Sequence, residues 1–140
     1  MADINHEIKI AAPPERVYAA LTTLDGVRSW HTPLAEGTGA VGSTWAFTFT
    51  GRAEFDWEIA ASEPNTFVAW KCTQGPGDSV GTTATFVLTP TEDGRTLVEL
   101  THAGWPGTHG NFVKCNTIWG ALLHHLQQYV ETGAPSTTFN

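Results

Sequence analysis

Apolar residues near the C-terminus recur with the period of a helix. From about residue 111 to residue 130 they lie three and four positions apart and form one face, made of Cys115, Ile118, Trp119, Leu122, Leu126 and Tyr129. This spacing predicts a single long amphipathic helix. Gly133 is placed to end it in a left-handed conformation. Such a helix needs another element to cover its apolar face.

The preceding chain alternates apolar and polar residues, which is the period of a half-buried strand. The alternation covers residues 5–11, 43–50, 53–61, 67–73, 80–89 and 97–102. Short turns rich in Gly, Pro, Asn and Asp separate the later segments, so these strands are expected to form hairpins. The sheet is therefore predicted to be antiparallel.

Two short helices are predicted after the first strand. Pro13 and Pro14 open the first helix, and Asp25-Gly26 interrupts it before a second helical turn reaches Trp30. Residues 31–42 are predicted to form a loop. Strands in sequence with segregated helices indicate an α+β domain over residues 1–133, in which a curved antiparallel sheet of six or seven strands wraps the C-terminal helix. Residues 134–140 are predicted to be a tail.

The composition narrows the classes of function. A net charge of −7, with only seven Lys and Arg, argues against nucleic-acid binding. No apolar run is long enough for a membrane span, and the N-terminus lacks the pattern of a signal peptide. Two cysteines, Cys72 and Cys115, are too few for a disulfide scaffold, which favours a cytoplasmic protein. The spacing of the histidines fits no metal site, and no cofactor motif is present.

Several short segments resemble a known superfamily. They are Ala12-Pro13-Pro14-Glu15-Arg16-Val17-Tyr18-Ala19-Ala20-Leu21, Val68-Ala69-Trp70-Lys71-Cys72, Gly75-Pro76, Gly81-Thr82, Thr101-His102-Ala103-Gly104-Trp105, Cys115, Trp119 and Tyr129-Val130-Glu131-Thr132-Gly133. The chain resembles the START-like (SRPBCC) helix-grip superfamily, which includes Bet v 1-like and polyketide cyclase-like domains. Within it, the chain is most similar to the branch related to the activator of Hsp90 ATPase (AHSA1-like).

The resemblance implies a helix-grip fold with a cavity between the sheet and the C-terminal helix. Members of the superfamily bind lipids, sterols, hormones or aromatic polyketides, and a minority catalyse reactions on their ligands. Eukaryotic Hsp90 activators also carry an additional N-terminal domain. Because this chain starts directly at its first predicted strand, an interaction with Hsp90 is not expected.

The candidate ligand-binding residues are mostly aromatic, and six Trp in 140 residues is an unusual number. They would offer stacking surfaces if their strand faces point inward, or would fill the core if no cavity remains. Sequence alone leaves both alternatives open, because a one-residue slip of register exchanges the two faces of a strand. The predicted ligand-binding set is Phe47, Phe49, Phe55, Trp57, Trp70, Phe86, Leu100, His102, Trp105, Cys115, Trp119 and Leu122.

His102 is the one candidate catalytic residue, because a histidine near a cavity can act as an acid or base close to neutral pH. The alternative is a half-buried histidine that only holds the following loop. Cys115 lies near the start of the long helix, where a thiol can be reactive, so Cys115 and His102 could form a nucleophile–base pair. The alternative for Cys115 is simple packing.

The sequence therefore favours a protein that binds a small hydrophobic, lipid-like or aromatic molecule. Two alternatives stay open. One is a cyclase, dehydratase or hydrolase that uses His102, and the other is a stress- or chaperone-linked interaction module without a ligand. An exposed sheet edge or the tail offers a route to a homodimer.

Overall fold

The computed structural model describes residues 2–139, which form one sheet and three α-helices. A 3-10 turn at Gly77–Ser79 lies between the fifth and sixth strands. The elements in chain order are β1 (Ala2–Ile10), α1 (Pro14–Thr22), α2 (Leu24–Trp30), β2 (Ala35–Glu36), β3 (Thr44–Phe47), β4 (Phe55–Glu63), β5 (Phe67–Gln74), β6 (Thr83–Pro90), β7 (Thr96–Trp105) and α3 (Asn111–Thr132).

The strands form a single seven-stranded antiparallel sheet in the order β1-β7-β6-β5-β4-β3-β2. The pairing of β4 with β5 shifts register twice, between Asp56 and Trp57 and between Ile59 and Ala61. Such irregularities bend a strand and increase its twist. The sheet therefore curves around α3, and the predicted α+β fold is confirmed.

The predicted alternation of the strands is also confirmed. In β5 the side chains of Val68, Trp70 and Cys72 are fully buried, whereas Lys71 between them is exposed. The same pattern runs through β6 and β7, where Phe86 and Leu100 pair across the strands on the inner face. The inner face is thus mainly apolar, and it is the surface that α3 covers.

Several boundaries differ from the predictions: β1 begins earlier, β6 begins later and β7 ends later than expected. The helical break lies at Thr23 and not at Asp25-Gly26, because the Thr23 hydroxyl accepts from the Gly26 backbone N–H at 3.1 Å and caps α2. The predicted loop 31–42 contains the short strand β2. In the structure, the strands predicted over 43–50 and 53–61 do not include residues 48–54, so β3 ends at Phe47 and β4 begins at Phe55. At this place Thr32 Oγ1 donates to the Thr48 carbonyl at 2.9 Å, so this carbonyl bonds outside the sheet.

Helix α3 contacts the sheet closely over only part of its length. Between Asn111 and Ile118 no side chain is fully buried, although Phe112, Cys115 and Ile118 are apolar. The buried residues of the helix begin further on, and they are Trp119, Leu122, Leu123, Leu126 and Val130. Gly133 ends the helix with φ 74°, as predicted. The helix thus lies away from the sheet at its N-terminal end.

The segment after α3 runs back over the second helix. Backbone N–H groups of Ser136, Thr138 and Phe139 donate to the carbonyls of Ser29, Trp30 and His31 at 2.7, 3.1 and 3.1 Å. These bonds use the carbonyl groups that a helix end leaves without partners. Residues 136–139 are called the C-terminal strap below. Within the described residues, no helix has the length and apolar composition that a membrane crossing requires.

Two glycines in helices are expected to respond oppositely to the same substitution. A methyl group at Gly26 would lie 2.6 Å from the Ala20 carbonyl oxygen, so α1 and α2 would have to separate. At Gly120 the nearest atom, His6 Cε1, would be 3.9 Å away. We expect Gly26→Ala to lower the free energy of unfolding by about 2 kcal/mol, and Gly120→Ala to raise it by about 1 kcal/mol through helix propensity. Urea unfolding measures both, and a shift of the same sign in the two variants would contradict this packing.

Candidate functional site

A cavity of about 280 Å³ lies under the N-terminal half of α3, where the helix stands away from the sheet. Its walls come from the start of α3, strands β4 and β7, the connection between β3 and β4, the end of α2 and the C-terminal strap. The lining residues are His31, Phe49, Arg52, Ala53, Phe55, Trp57, Pro76, His102, Asn111, Lys114, Cys115, Ile118, Trp119, Leu122 and Phe139. Most of this wall is aromatic or aliphatic, which suits an apolar ligand.

More than half of the residues predicted to bind a ligand meet at this cavity. They are Phe49, Phe55, Trp57, His102, Cys115, Trp119 and Leu122. The others, Phe47, Trp70, Phe86, Leu100 and Trp105, lie outside the lining and are fully buried. The structure therefore combines the two alternatives, because one part of the aromatic set fills the core and another part lines a cavity.

The buried aromatic residues form a layer beneath the cavity wall. The Phe86 ring lies edge-on to Trp119, with centroids 5.6 Å apart, and Trp70 lies 4.9 Å from Phe86. On the other side, Phe47 lies 4.2 Å from the His31 ring. Tilted and edge-to-face contacts between rings hold them in fixed positions. The cavity wall is thus supported from behind and is expected to keep its shape.

His102 holds α3 to the sheet through a buried hydrogen-bond chain. Trp119 donates its indole N–H to His102 Nδ1 at 2.9 Å, and Thr82 Oγ1 lies 2.7 Å from His102 Nε2. The single hydroxyl proton of Thr82 goes to the Ser79 carbonyl at 2.6 Å. Thr82 Oγ1 must then accept from His102, which places the ring proton on Nε2.

This arrangement favours a structural role for His102 over an acid–base role. Burial lowers the pKa of His102 to about 4, so the ring is neutral near pH 7. A proton taken up at Nδ1 would face the Trp119 N–H and break the bond between helix and sheet. Trp119 likewise has its only donor engaged and has none left for a ligand.

Cys72 is a buried thiol and Cys115 a half-buried one. Burial raises the pKa of Cys115 to about 11 and that of Cys72 to about 12, with a weaker contribution from nearby negative charge in both cases. Both are free cysteines. Since the thiolate is the reactive form, and since His102 has no free nitrogen, the geometry favours packing over a nucleophile–base pair.

His31 and Phe139 are cavity residues that the sequence reasoning missed. His31 is 5% exposed among Trp30, Phe47, Phe49 and Phe139, and its Nδ1 atom is buried without a hydrogen-bond partner. Burial lowers the pKa of His31 to about 3. Phe139 belongs to the C-terminal strap and packs on Phe49 at 4.6 Å between centroids.

Neither residue carried a recognisable signal, because His31 lay in a predicted loop and Phe139 in a predicted tail. The remaining lining residues that were missed are Arg52, Ala53, Pro76, Asn111, Lys114 and Ile118. Of these, Ile118 was placed on the apolar face of the helix, and that spacing could have identified it. Within residues 2–139, no group of three His, Cys, Asp or Glu side chains could hold a metal ion.

The family model described as "Activator of Hsp90 ATPase homolog 1-like protein" matches residues 11–131. This match confirms the family resemblance that was drawn from the sequence. No curated protein shows significant sequence similarity to the chain.

Solved structures share the fold over nearly the whole chain. The solution structure of the Aha1 dimer from Colwellia psychrerythraea is 38% identical, covers 95% of this chain and 98% of that chain, and has a TM-score of 0.86. The protein MLL2253 from Mesorhizobium loti is 25% identical over 91% of this chain and 95% of that chain, with a TM-score of 0.79. CalU16 from Micromonospora echinospora is 23% identical over 96% of this chain and 76% of that chain, with a TM-score of 0.76, and this likeness shows the fold alone.

The protonation state of His102 can be checked by NMR. We expect nitrogen shifts of the neutral Nε2–H form to persist on acidification to about pH 5, because folding lowers its pKa from 6.5 to about 4. The His102 ring therefore takes up a second proton more readily in the unfolded chain than in the folded protein. His102 therefore contributes about 3 kcal/mol of stability that is present above pH 6.5 and is lost as the pH falls towards 4. Titration near pH 6.5 in the folded protein, or an Nδ1–H form, would contradict the hydrogen-bond chain.

Proposed function

The chain belongs to the activator of Hsp90 ATPase homolog 1-like family, and we propose that it binds a small hydrophobic, aromatic or lipid-like molecule in the cavity between the sheet and α3. The observation that carries this proposal is the open space under the apolar side chains Cys115 and Ile118, in a domain whose other inner-face residues are closely packed. An apolar surface left half-covered at this place gains stability when a ligand covers it.

The size of the cavity limits the ligand. Its volume of about 280 Å³ is near the lower end of the range of roughly 300–1,000 Å³ for ligand pockets. That space suits one or two fused rings or a chain of medium length. Burying ~300 Å² of apolar ligand surface would contribute about 7 kcal/mol before the costs of association are subtracted. Apolar contact alone therefore supports weak binding, and polar groups on the wall decide the affinity.

A catalytic function through His102 has less support than binding. The hydrogen bonds to Trp119 and Thr82 occupy both ring nitrogens, so a reaction would first have to break a buried contact. A chaperone-linked interaction module is the second candidate, because the matching family is described by homology to the Hsp90 ATPase activator. A cavity that accepts no ligand would favour that candidate. The cytoplasmic location expected from the sequence is part of the proposal, and the two free cysteines are consistent with it.

A tryptophan at position 118 tests the binding proposal. Ile118 lines the cavity and is half-buried, so Ile118→Trp should fill the space while the fold is kept. Thr117→Trp is the matched control, because the neighbouring Thr117 points about 100° away from Ile118 around the helix, is exposed and does not line the cavity. The measurement is the thermal midpoint with a panel of one- and two-ring aromatic compounds and medium-chain aliphatic compounds.

We expect at least one compound to raise the midpoint of the unmodified protein and of Thr117→Trp by several degrees at saturation, and to leave Ile118→Trp unchanged. A ligand at a hundredfold excess over its dissociation constant stabilises by about 2.7 kcal/mol. If no compound shifts the unmodified protein, or if Ile118→Trp responds equally, binding in this cavity is refuted.

We also propose that the protein forms a homodimer. The support is the solved structure from Colwellia psychrerythraea, which is 38% identical and described as a dimer. Analytical ultracentrifugation over a range of concentrations measures the state directly. We expect the dimer mass of about 30 kDa, twice the chain mass of 15.1 kDa. A constant monomer mass at all concentrations would contradict it.

A further inference from the structure

The charged side chains that line the cavity have the opposite sign to the net charge of the protein. The chain has 14 Asp and Glu against 7 Lys and Arg. None of the residues that line the cavity is acidic, whereas Arg52 and Lys114 are cationic. Both are exposed, so their charged ends lie at the rim, and they come from different walls, Arg52 from the β3–β4 connection and Lys114 from α3.

Neither cation is used by the ion pairs of the described residues. Those pairs join Arg28 to Glu36 and Arg95 to Asp93. Arg52 lies over the Phe139 ring, 5.3 Å from its centroid, and this contact leaves the guanidinium N–H groups available. Among the side-chain hydrogen bonds within residues 2–139, none involves Arg52 or Lys114.

The start of α3 adds further positive character to the rim. Gly110 occupies the N-cap position without a side chain that could accept from the first N–H groups of the helix. A helix of 22 residues carries partial positive charge at that end. An opposing charge nearby is Asp78, whose carboxylate accepts from Asn111 Nδ2 at 3.0 Å and adds to the effect of burial in raising the pKa of Cys115. Neither Asp78 nor Glu54 lines the cavity, so the charged side chains of the lining itself are both cationic.

The inner wall carries no charged group. His31 lies in this wall, and the low pKa of its ring, which results from burial, keeps it neutral. A charged group placed deep in the cavity would lose its hydration without an ionic partner, which is very unfavourable. The same group at the rim would keep contact with water and with both cations.

We propose that the ligand is a hydrophobic monocarboxylate, whose carboxylate group binds between Arg52 and Lys114 and whose apolar body lies against Trp57, Phe49 and Ile118. This inference rests on the proposed function and specifies its ligand class. Aryl and alkyl carboxylates both have the required anionic group and apolar body.

Isosteric probes separate the charge from the shape. The experiment measures binding of 2-naphthoate and of the neutral 2-naphthamide by calorimetry, and it repeats the comparison with decanoate and decanamide to distinguish aryl from alkyl bodies. The variants are Arg52→Gln, Lys114→Gln and both together. Lys71→Gln is the control, because Lys71 is exposed on the outer face of β5 and does not line the cavity.

We expect the carboxylate of at least one pair to bind about tenfold more tightly than its neutral partner. Each single rim variant should weaken the carboxylate about threefold to tenfold and leave the neutral compound unchanged, while Lys71→Gln changes neither. Added salt should weaken only the carboxylates. Thermal midpoints close to that of the unmodified protein confirm that the exposed substitutions leave the fold intact.

Two different failures can be told apart. If neutral and charged partners bind equally, or if the rim variants lose no affinity for the carboxylate, the proposal of an anionic ligand is overturned while hydrophobic binding stands. If neither member of either pair binds, both this proposal and the proposed function fail.

Discussion

The hydrogen bond from the Trp119 indole to His102 is the point on which the arrangement of helix and sheet depends. It joins the middle of α3 to β7 inside the core, with both groups buried. From Trp119 onward the helix lies on the sheet and its inward side chains are buried, whereas before Trp119 they are only partly covered. The core is therefore filled on one side of this bond and open on the other.

The same bond explains why a histidine is suited to position 102. The ring must accept at Nδ1 and donate at Nε2, and a neutral imidazole is a side chain that can do both across a short distance. His102 Nε2 donates to the Thr82 hydroxyl, which in turn donates to the Ser79 backbone carbonyl. Both ring nitrogens of His102 therefore have hydrogen-bond partners. His31 is the contrasting case, because its buried Nδ1 atom has no partner and faces a wall of aromatic rings. One histidine thus stabilises the fold, and the other is left with an unmet hydrogen-bonding capacity.

Much of the fold follows from local patterns. The face of α3, the Gly133 cap and the alternation of Val68, Trp70 and Cys72 could be predicted because each depends on residues a few positions apart. Which aromatic residues would line the cavity could not be predicted in the same way. Trp57 and Trp70 point to the same face on adjacent strands, yet only Trp57 reaches the open space, because the separation of α3 from the sheet differs along the helix.

The parts of the site that were missed depend on contacts between distant segments. His31 and Phe139 meet through a backbone bond across more than a hundred residues, and nothing in the periodicity of either segment indicates it. Arg52 lies in a stretch that was predicted as a turn between strands, so its position at the rim depends on how the β3–β4 connection bends. In the sequence, Arg52 is only a single arginine in a predicted turn, and nothing there relates it to the cavity.

NMR spectra of the tryptophan indole N–H groups test most directly whether the space before the Trp119–His102 contact is a binding site. Titration with two-ring aromatic and medium-chain compounds should move the signals of Trp57 and Trp119 in a saturable way. The signal of Trp45, which lies outside the cavity lining, should stay fixed. If the signals of Trp57 and Trp119 do not move with any compound, or if Trp45 moves in their place, the account of this cavity as a ligand site is contradicted.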